Sequence, residues 1–220
     1  MKQALPHPQV HLHQATCTGW ARAAAWGALM GLCAAAHAGT VQVDVLDAAG
    51  KPVADAVVFL DSADARKHVK PLAGAEMAQE KKQFVPGVLV IPVGTQVLFP
   101  NRDSVRHHVY SFSPAKKFEL KLYTGTPASP VLFDQAGVVA LGCNIHDQMI
   151  GWILVVDTPH YARSAAATGK AQIDNVPAGT YTLRTWHTRL PVGAPALEQS
   201  ITVPATGTGT ASVRLTGLQP

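Results

Sequence analysis

Charged side chains are scarce in this chain of 220 residues, since Asp, Glu, Lys and Arg together make up only 15% of it. The formal net charge is +4, but no segment is dense enough in Lys and Arg to follow a phosphate backbone. We therefore expect no nucleic-acid partner. Hydrophobic residues reach 47%, which is enough to build a core and excludes an intrinsically disordered chain.

The sequence patterns of common enzyme classes are also missing. It contains no phosphate-binding loop, no dinucleotide fingerprint and no Ser-His-Asp pattern. The aspartates are too scattered to predict a pair of carboxylates for acid–base catalysis. We therefore predict a protein that is not an enzyme.

Cysteine is rare, and its positions indicate export. Two of the three cysteines, Cys17 and Cys33, precede a small-x-small cleavage pattern at residues 36–38, and residues 23–36 are apolar. A membrane-spanning helix needs about 20 apolar residues, so this stretch is short for one. We predict that residues 1–38 are a cleaved signal peptide and that the mature protein is periplasmic, without membrane association. The alternative is an uncleaved N-terminal anchor.

Short strands separated by turns dominate the remaining chain. Residues 41–46 alternate apolar and polar side chains, and residues 88–122 contain a dense series of strands between turns with Pro, Gly and Asn. This pattern predicts an all-β fold. Residues 61–82 are polar and irregular, which predicts either a long exposed loop or an excursion between strands.

Three residues that can bind a soft metal lie close together between two apolar segments. Cys143, His146 and Met149 offer a thiolate, an imidazole and a thioether within seven residues. After removal of the signal peptide Cys143 is the single cysteine, and a solitary exported thiol is often a ligand. Cys and His alone would suit zinc equally well, but a thioether favours copper. A site that has lost its metal is a further alternative.

A trigonal copper site needs a second histidine from elsewhere in the chain. Both His107 and His108 lie at the start of a predicted strand, and strand alternation turns their side chains to opposite faces. Only one of the two can therefore face the metal, and the residues alone do not decide which.

These features resemble the cupredoxins, the type 1 blue-copper family, and within it the amicyanin- and plastocyanin-like members. Residues 84–101 are similar to the family's strand, glycine turn, strand and asparagine, and His107 occupies the position of its first histidine ligand. The resemblance implies a Greek-key β-sandwich that binds one type 1 copper ion through His107, Cys143, His146 and Met149. His108 departs from the family, which commonly has asparagine after the first ligand.

The resemblance also implies what the protein does. It predicts one-electron transfer in the periplasm between redox partner proteins that dock transiently near His146. Residues 107–112, 118–123 and 142–147 further resemble the cupredoxin-containing methylamine utilisation proteins. The alternative is a non-redox copper-binding protein, a chaperone or a storage protein.

The segments around the copper unit resemble a second family. Residues 47–58 and 168–183 are similar to the two halves of a carboxypeptidase regulatory-like β-sandwich. We expect a cupredoxin-like domain over residues 39–157 and a second small sandwich over residues 158–220. Alternatively, residues 39–62 belong to the second sandwich, which would make the copper unit an insertion in it.

Overall fold

The structure is a computed structural model and describes residues 38–219. The predicted signal peptide thus lies outside the described residues, apart from Ala38. One short helix, α1 (Ala63–Lys67), is present in the described part. The strands are β1 (Ala38–Asp47), β2 (Val57–Asp61), β3 (Ala75–Glu76), β4 (Ala78–Glu80), β5 (Gln83–Val85), β6 (Val88–Pro92), β7 (Thr95–Leu98), β8 (His107–Ser113), β9 (Lys116–Tyr123), β10 (Val131–Phe133), β11 (Gly137–Gly142), β12 (Ile150–Val156), β13 (Tyr161–Arg163), β14 (Lys170–Pro177), β15 (Gly179–Trp186), β16 (Leu197–Val203) and β17 (Thr208–Leu215). The prediction of an all-β fold is confirmed.

Strands from the two ends of the described chain form one β-sandwich, which we call the terminal sandwich. One of its sheets has the strand order β14-β1-β17 and the other the order β13-β2-β15-β16. Alternation along β1 buries Val41, Val43 and Val45, which share an apolar core with Leu60 and Leu183 of the facing sheet. Burial of one face of each sheet thus holds the two sheets together.

Strands β3 to β12 form a second sandwich, the central sandwich. A five-stranded sheet of order β6-β12-β11-β8-β9 faces a three-stranded sheet of order β10-β7-β3, and β4 and β5 form a separate hairpin. Ile153 of the five-stranded sheet and Phe133 of the three-stranded sheet both lie in its buried core. Cys143 and Met149 belong to the same core, although both lie in the loop between β11 and β12.

The outer face of the five-stranded sheet packs against the terminal sandwich. Leu154 and Val156 of β12 share a buried cluster with Val57, Phe59 and Trp186 of β2 and β15. β12 is therefore covered on both faces over most of its length, which explains its continuous apolar sequence. In the part of the chain that the structure describes, no helix is long and apolar enough to cross a membrane.

The pairing of the first two strands bears on the domain organisation. β1 pairs with β14 and β17, and β2 pairs with β13 and β15. β1 and β2 are therefore hydrogen-bonded to strands from the C-terminal part of the chain. We propose on this basis that the central sandwich is inserted in the terminal one.

Residues 61–82 are more ordered than their polar sequence predicts. The Ser62 hydroxyl accepts a hydrogen bond from the Ala65 amide at 3.0 Å and caps α1. β3 pairs with β7, and Met77 directly after it is fully buried. The segment is therefore not an exposed loop throughout, and its short elements between β2 and β6 fit the other expectation, an excursion between strands.

We expect Leu154→Ala to lower the free energy of unfolding by about 2–5 kcal/mol, because it leaves a cavity where the two sandwiches meet. Leu154 is only 3% exposed. Urea denaturation followed by circular dichroism is expected to show one transition, shifted as a whole. Leu132→Ala on β10, where the side chain is 41% exposed, serves as the control and should change stability by no more than about 0.5 kcal/mol. Two separate transitions, one of them unshifted, would contradict energetic coupling of the sandwiches.

Candidate metal centre

One thiol and two imidazoles converge at one end of the central sandwich. The Sγ of Cys143 lies 3.9 Å from Nδ1 of His107 and 3.9 Å from Nδ1 of His146. One ligand atom from each of these residues lies within 4.8 Å of the other two. Within residues 38–219, this is the one group of three or more His, Cys, Asp and Glu residues with such geometry.

The spacing of these atoms fits a single ion. Bonds of about 2.0 Å to nitrogen and about 2.3 Å to sulfur place the two donors roughly 3.5–3.7 Å apart around one tetrahedral or trigonal ion. The observed separations of 3.9 Å are close to this value. His107 and Cys143 are buried and His146 is half-buried, so bulk water has limited access to the three donors.

Two features of the sheet bring these side chains together. Cys143 and His146 lie in the loop that joins β11 to β12, and the pair Gly142↔Ile150 closes the ladder directly beneath this loop. His107 begins β8, which is the neighbour of β11 on its other side. A short hairpin loop and the start of an adjacent strand thus bring the three candidate ligand atoms together at the same end of the sheet.

The orientation of His107 is set by a carboxylate that the sequence analysis did not identify as part of the site. Its Nε2 lies 2.7 Å from Oδ2 of Asp103. Because a carboxylate only accepts hydrogen bonds, Nε2 is the donor and the neutral ring keeps the lone pair of Nδ1 for the side facing Cys143. Metal-binding histidines typically donate their second ring nitrogen to such a partner. An acidic residue four positions before a ligand histidine is the signal that could have identified Asp103.

Asp103 is itself held by the turn between β4 and β5. The amides of Lys81 and Lys82 donate to its two oxygens at 2.7 Å and 2.9 Å. Burial raises the pKa of the Asp103 carboxyl, but hydrogen bonds from the Lys82 amide, from His107 and from a second amide outweigh it. The pKa of Asp103 therefore lies below its ordinary value, which keeps this acceptor ionised at neutral pH.

Asn101 organises the loop that carries Asp103 and His107. Its side-chain amide donates to the carbonyls of Val105 at 2.8 Å and Tyr123 at 2.9 Å, and its side-chain oxygen accepts from the Asp103 amide at 2.9 Å. These three hydrogen bonds of Asn101 hold together the loop that leads into β8.

The structure separates the two adjacent histidines. His108 turns to the outer face of the sheet, where its Nε2 lies 2.8 Å from Oε1 of Glu119 and its ring centroid lies 5.6 Å from that of Tyr110. His107 is the one that faces Cys143. Strand alternation predicts opposite faces for the two side chains, and of the two it is His107 that lies with Cys143 and His146.

Met149, the fourth residue predicted as a ligand, closes the loop. Its side chain is 1% exposed and belongs to the same apolar cluster as Cys143. Its amide donates to the carbonyl of His146 at 2.8 Å, which gives the loop a tight turn after His146. The structure thus buries Met149 in the right loop, and its role as an axial ligand stays a prediction.

Part of this chain matches a protein-family model. Residues 141–211 match the model of polysaccharide lyase family 4, domain II, from the end of β11 through the candidate metal loop into β17. No curated protein matches this chain.

Several solved structures of copper proteins are similar to part of the chain. A purple cupredoxin from Nitrosopumilus maritimus is 26% identical over 37% of this chain and 99% of its own, with a TM-score of 0.33. A copper-containing nitrite reductase from Thermus scotoductus SA-01 is 27% identical over 40% of this chain and 23% of its own, with a TM-score of 0.36. A reduced amicyanin variant is 24% identical over 45% of this chain and 98% of its own, with a TM-score of 0.34.

We expect Asp103→Asn to weaken metal binding by about 10- to 100-fold, because the substitution removes the charge that orients and polarises His107. Affinity is measured by competition with a chelator of known strength. The free energy of unfolding of the metal-free protein is measured in parallel, so that a loss of folding is not mistaken for a loss of affinity. Asp134→Asn, an exposed carboxylate paired with Lys116, is the matched control. Equal affinities of the two variants would contradict the role assigned to Asp103.

Proposed function

We propose that this protein binds one copper ion through His107, Cys143 and His146, with Met149 as a weak axial ligand, and transfers single electrons outside the cytoplasm. The observation that carries the proposal is the 3.9 Å separation of the Cys143 sulfur from both imidazole nitrogens. It supports a trigonal site in which one ion bridges residues 36 positions apart.

The choice of copper rests on the chemistry of the donors. A thiolate and a thioether are soft ligands that favour Cu(I), and imidazole serves both oxidation states. A zinc site would use the cysteine and histidines equally well but would gain nothing from a buried methionine sulfur. The burial of Met149 in the same core as Cys143 therefore favours copper.

The surroundings suit electron transfer because they limit movement. Bound copper would supply a one-electron couple. Asp103 holds the ring of His107, the β11–β12 ladder holds Cys143, and the turn to Met149 fixes His146. Side chains held this way would move little between the two oxidation states of a bound copper ion, which would keep the reorganisation on electron exchange small.

We further propose that redox partner proteins dock transiently near His146 in the periplasm. His146 is half-buried, and its neighbour in the sequence, Ile145, is 47% exposed, so an apolar side chain is available for contact next to this histidine. A small apolar contact of this kind fits a weak, short-lived complex. The periplasmic location rests on the export signal predicted for residues 1–38, and the methylamine utilisation resemblance names a genomic association rather than a pathway.

We expect copper-loaded protein to show intense visible absorption from the thiolate–copper bond. This band is expected to vanish in Cys143→Ser and in His107→Gln, because each substitution removes a ligand. His108→Gln is the matched control, because it replaces the neighbouring histidine in the same way. This variant should retain the band, since His108 faces Glu119. A band lost in His108→Gln and kept in His107→Gln would refute the assigned ligand set. Colourless protein that binds only Cu(I) would instead support the chaperone or storage alternative.

We expect Met149→Leu to lower the affinity for Cu(I) and to leave the affinity for Zn²⁺ nearly unchanged, because a thioether selects for Cu(I). Leucine conserves the volume and apolar character of this buried position, so stability should fall by less than about 1.5 kcal/mol. Competition titrations with each metal measure the two affinities. A parallel loss of both affinities would mean that Met149 acts through packing and not as a ligand.

A further inference from the structure

The three most exposed large hydrophobic residues in the described part of the chain lie around one groove. Val192, Phe112 and Ile150 are 84%, 78% and 58% exposed. All three line a groove of about 660 Å³ on the outer face of the five-stranded sheet. Single exposed hydrophobic residues are ordinary, but three around one concavity of this size are typical of a binding site.

The groove owes its shape to small residues on β11 and aromatic residues beside them. Ala140 and Gly142 line it on β11. A Cβ atom at Gly142 would lie 2.7 Å from the ring of Tyr110, so the ring packs directly on this backbone. The rings of Tyr110 and Phe112 lie 5.3 Å apart along β8. Side chains held on neighbouring strands of a sheet make walls that are already formed before a ligand binds.

The terminal sandwich closes the opposite side. Trp152 lines the groove, and its ring centroid lies 5.8 Å from that of Trp186, which belongs to the terminal sandwich. Val192, from the loop that follows β15, adds to the same wall. The terminal sandwich covers part of the outer face of the five-stranded sheet. The groove lies at the border of this covered part.

The lining defines the chemistry of the ligand. Aromatic walls suit a flat ring, and the volume lies within the range of small-molecule sites. Asp147 is the single charged residue of the lining, so it repels anions and accepts a hydrogen bond from a hydroxyl group. We propose that the groove binds a small neutral phenol-type aromatic molecule, with its ring against the aromatic walls and its hydroxyl group towards Asp147.

This site goes beyond the proposed function but adjoins it. Cys143 lines the groove and also provides the sulfur of the candidate metal centre. A phenol bound there would lie beside a residue that would hold the proposed copper ion. Binding itself depends on the apolar walls and on Asp147, and needs no metal. It can therefore be tested on metal-free protein, so that failure of this proposal and failure of the copper proposal are distinguishable.

The test is calorimetric titration of the metal-free full chain with 2-naphthol, and with 2-naphthoate as the anion of similar size and shape. We expect saturable one-to-one binding of 2-naphthol and binding of 2-naphthoate that is at least about tenfold weaker, as expected for a ligand charge that meets a carboxylate. Absence of saturable 2-naphthol binding would overturn the proposal. Equal binding of the two ligands would overturn the part assigned to Asp147.

Two variants locate the binding in the groove. Ala140→Leu fills the floor, Phe112→Ala removes an exposed wall, and each is expected to weaken 2-naphthol binding by at least about tenfold. Phe112 is 78% exposed, so its variant is expected to fold even if Ala140→Leu does not. Leu132→Ala, an exposed apolar residue that does not line the groove, should bind as the unmodified protein does. Unchanged affinity in Phe112→Ala would refute this location.

Discussion

A fully buried imidazole held between a carboxylate and a thiol is the interaction on which the candidate centre depends. Burial of a polar ring is costly unless its nitrogens have partners, and His107 has one on each side. Asp103 lies 2.7 Å from Nε2, and the Cys143 sulfur lies 3.9 Å from Nδ1. Two backbone amides fix Asp103 in turn, so the direction of the Nδ1 lone pair is set by the protein. Such preorganisation lowers the cost of ordering the ligands when a metal binds.

The packing of the two sandwiches involves β12, the strand that follows the candidate metal loop. β12 is covered by the core of the central sandwich on one face and by the terminal sandwich on the other. The strand that ends the candidate metal loop is therefore among the least free to move. Loop residues 143–149 inherit this rigidity, because their anchors Gly142 and Ile150 are paired. The terminal sandwich thus packs on β12 around Leu154 and Val156, away from the candidate metal loop, and provides none of the three converging ligand atoms.

Local patterns in the sequence predict much of the candidate centre. The three candidate ligand types are recognised from the short spacing of Cys143, His146 and Met149 alone. The short strands and turn signals likewise predict the all-β fold. What the sequence does not reveal depends on distant contacts. Val41 pairs with Ile173, and no local signal indicates such a partner. The part played by Asp103 likewise becomes visible only when the loop before β8 closes on the β4–β5 turn.

A single strand links the candidate metal centre to the groove. Successive side chains of a strand point to opposite faces, so His107 and Val109 of β8 turn inward while His108, Tyr110 and Phe112 turn outward. The inward set contributes a candidate ligand and part of the core, and the outward set contributes the aromatic row that ends in the groove. A register slip of one residue would exchange the two faces and place His108 where His107 now meets Cys143. The hydrogen bonds of His107 to Asp103 and of His108 to Glu119 oppose such a slip, because each histidine has a partner on its own face.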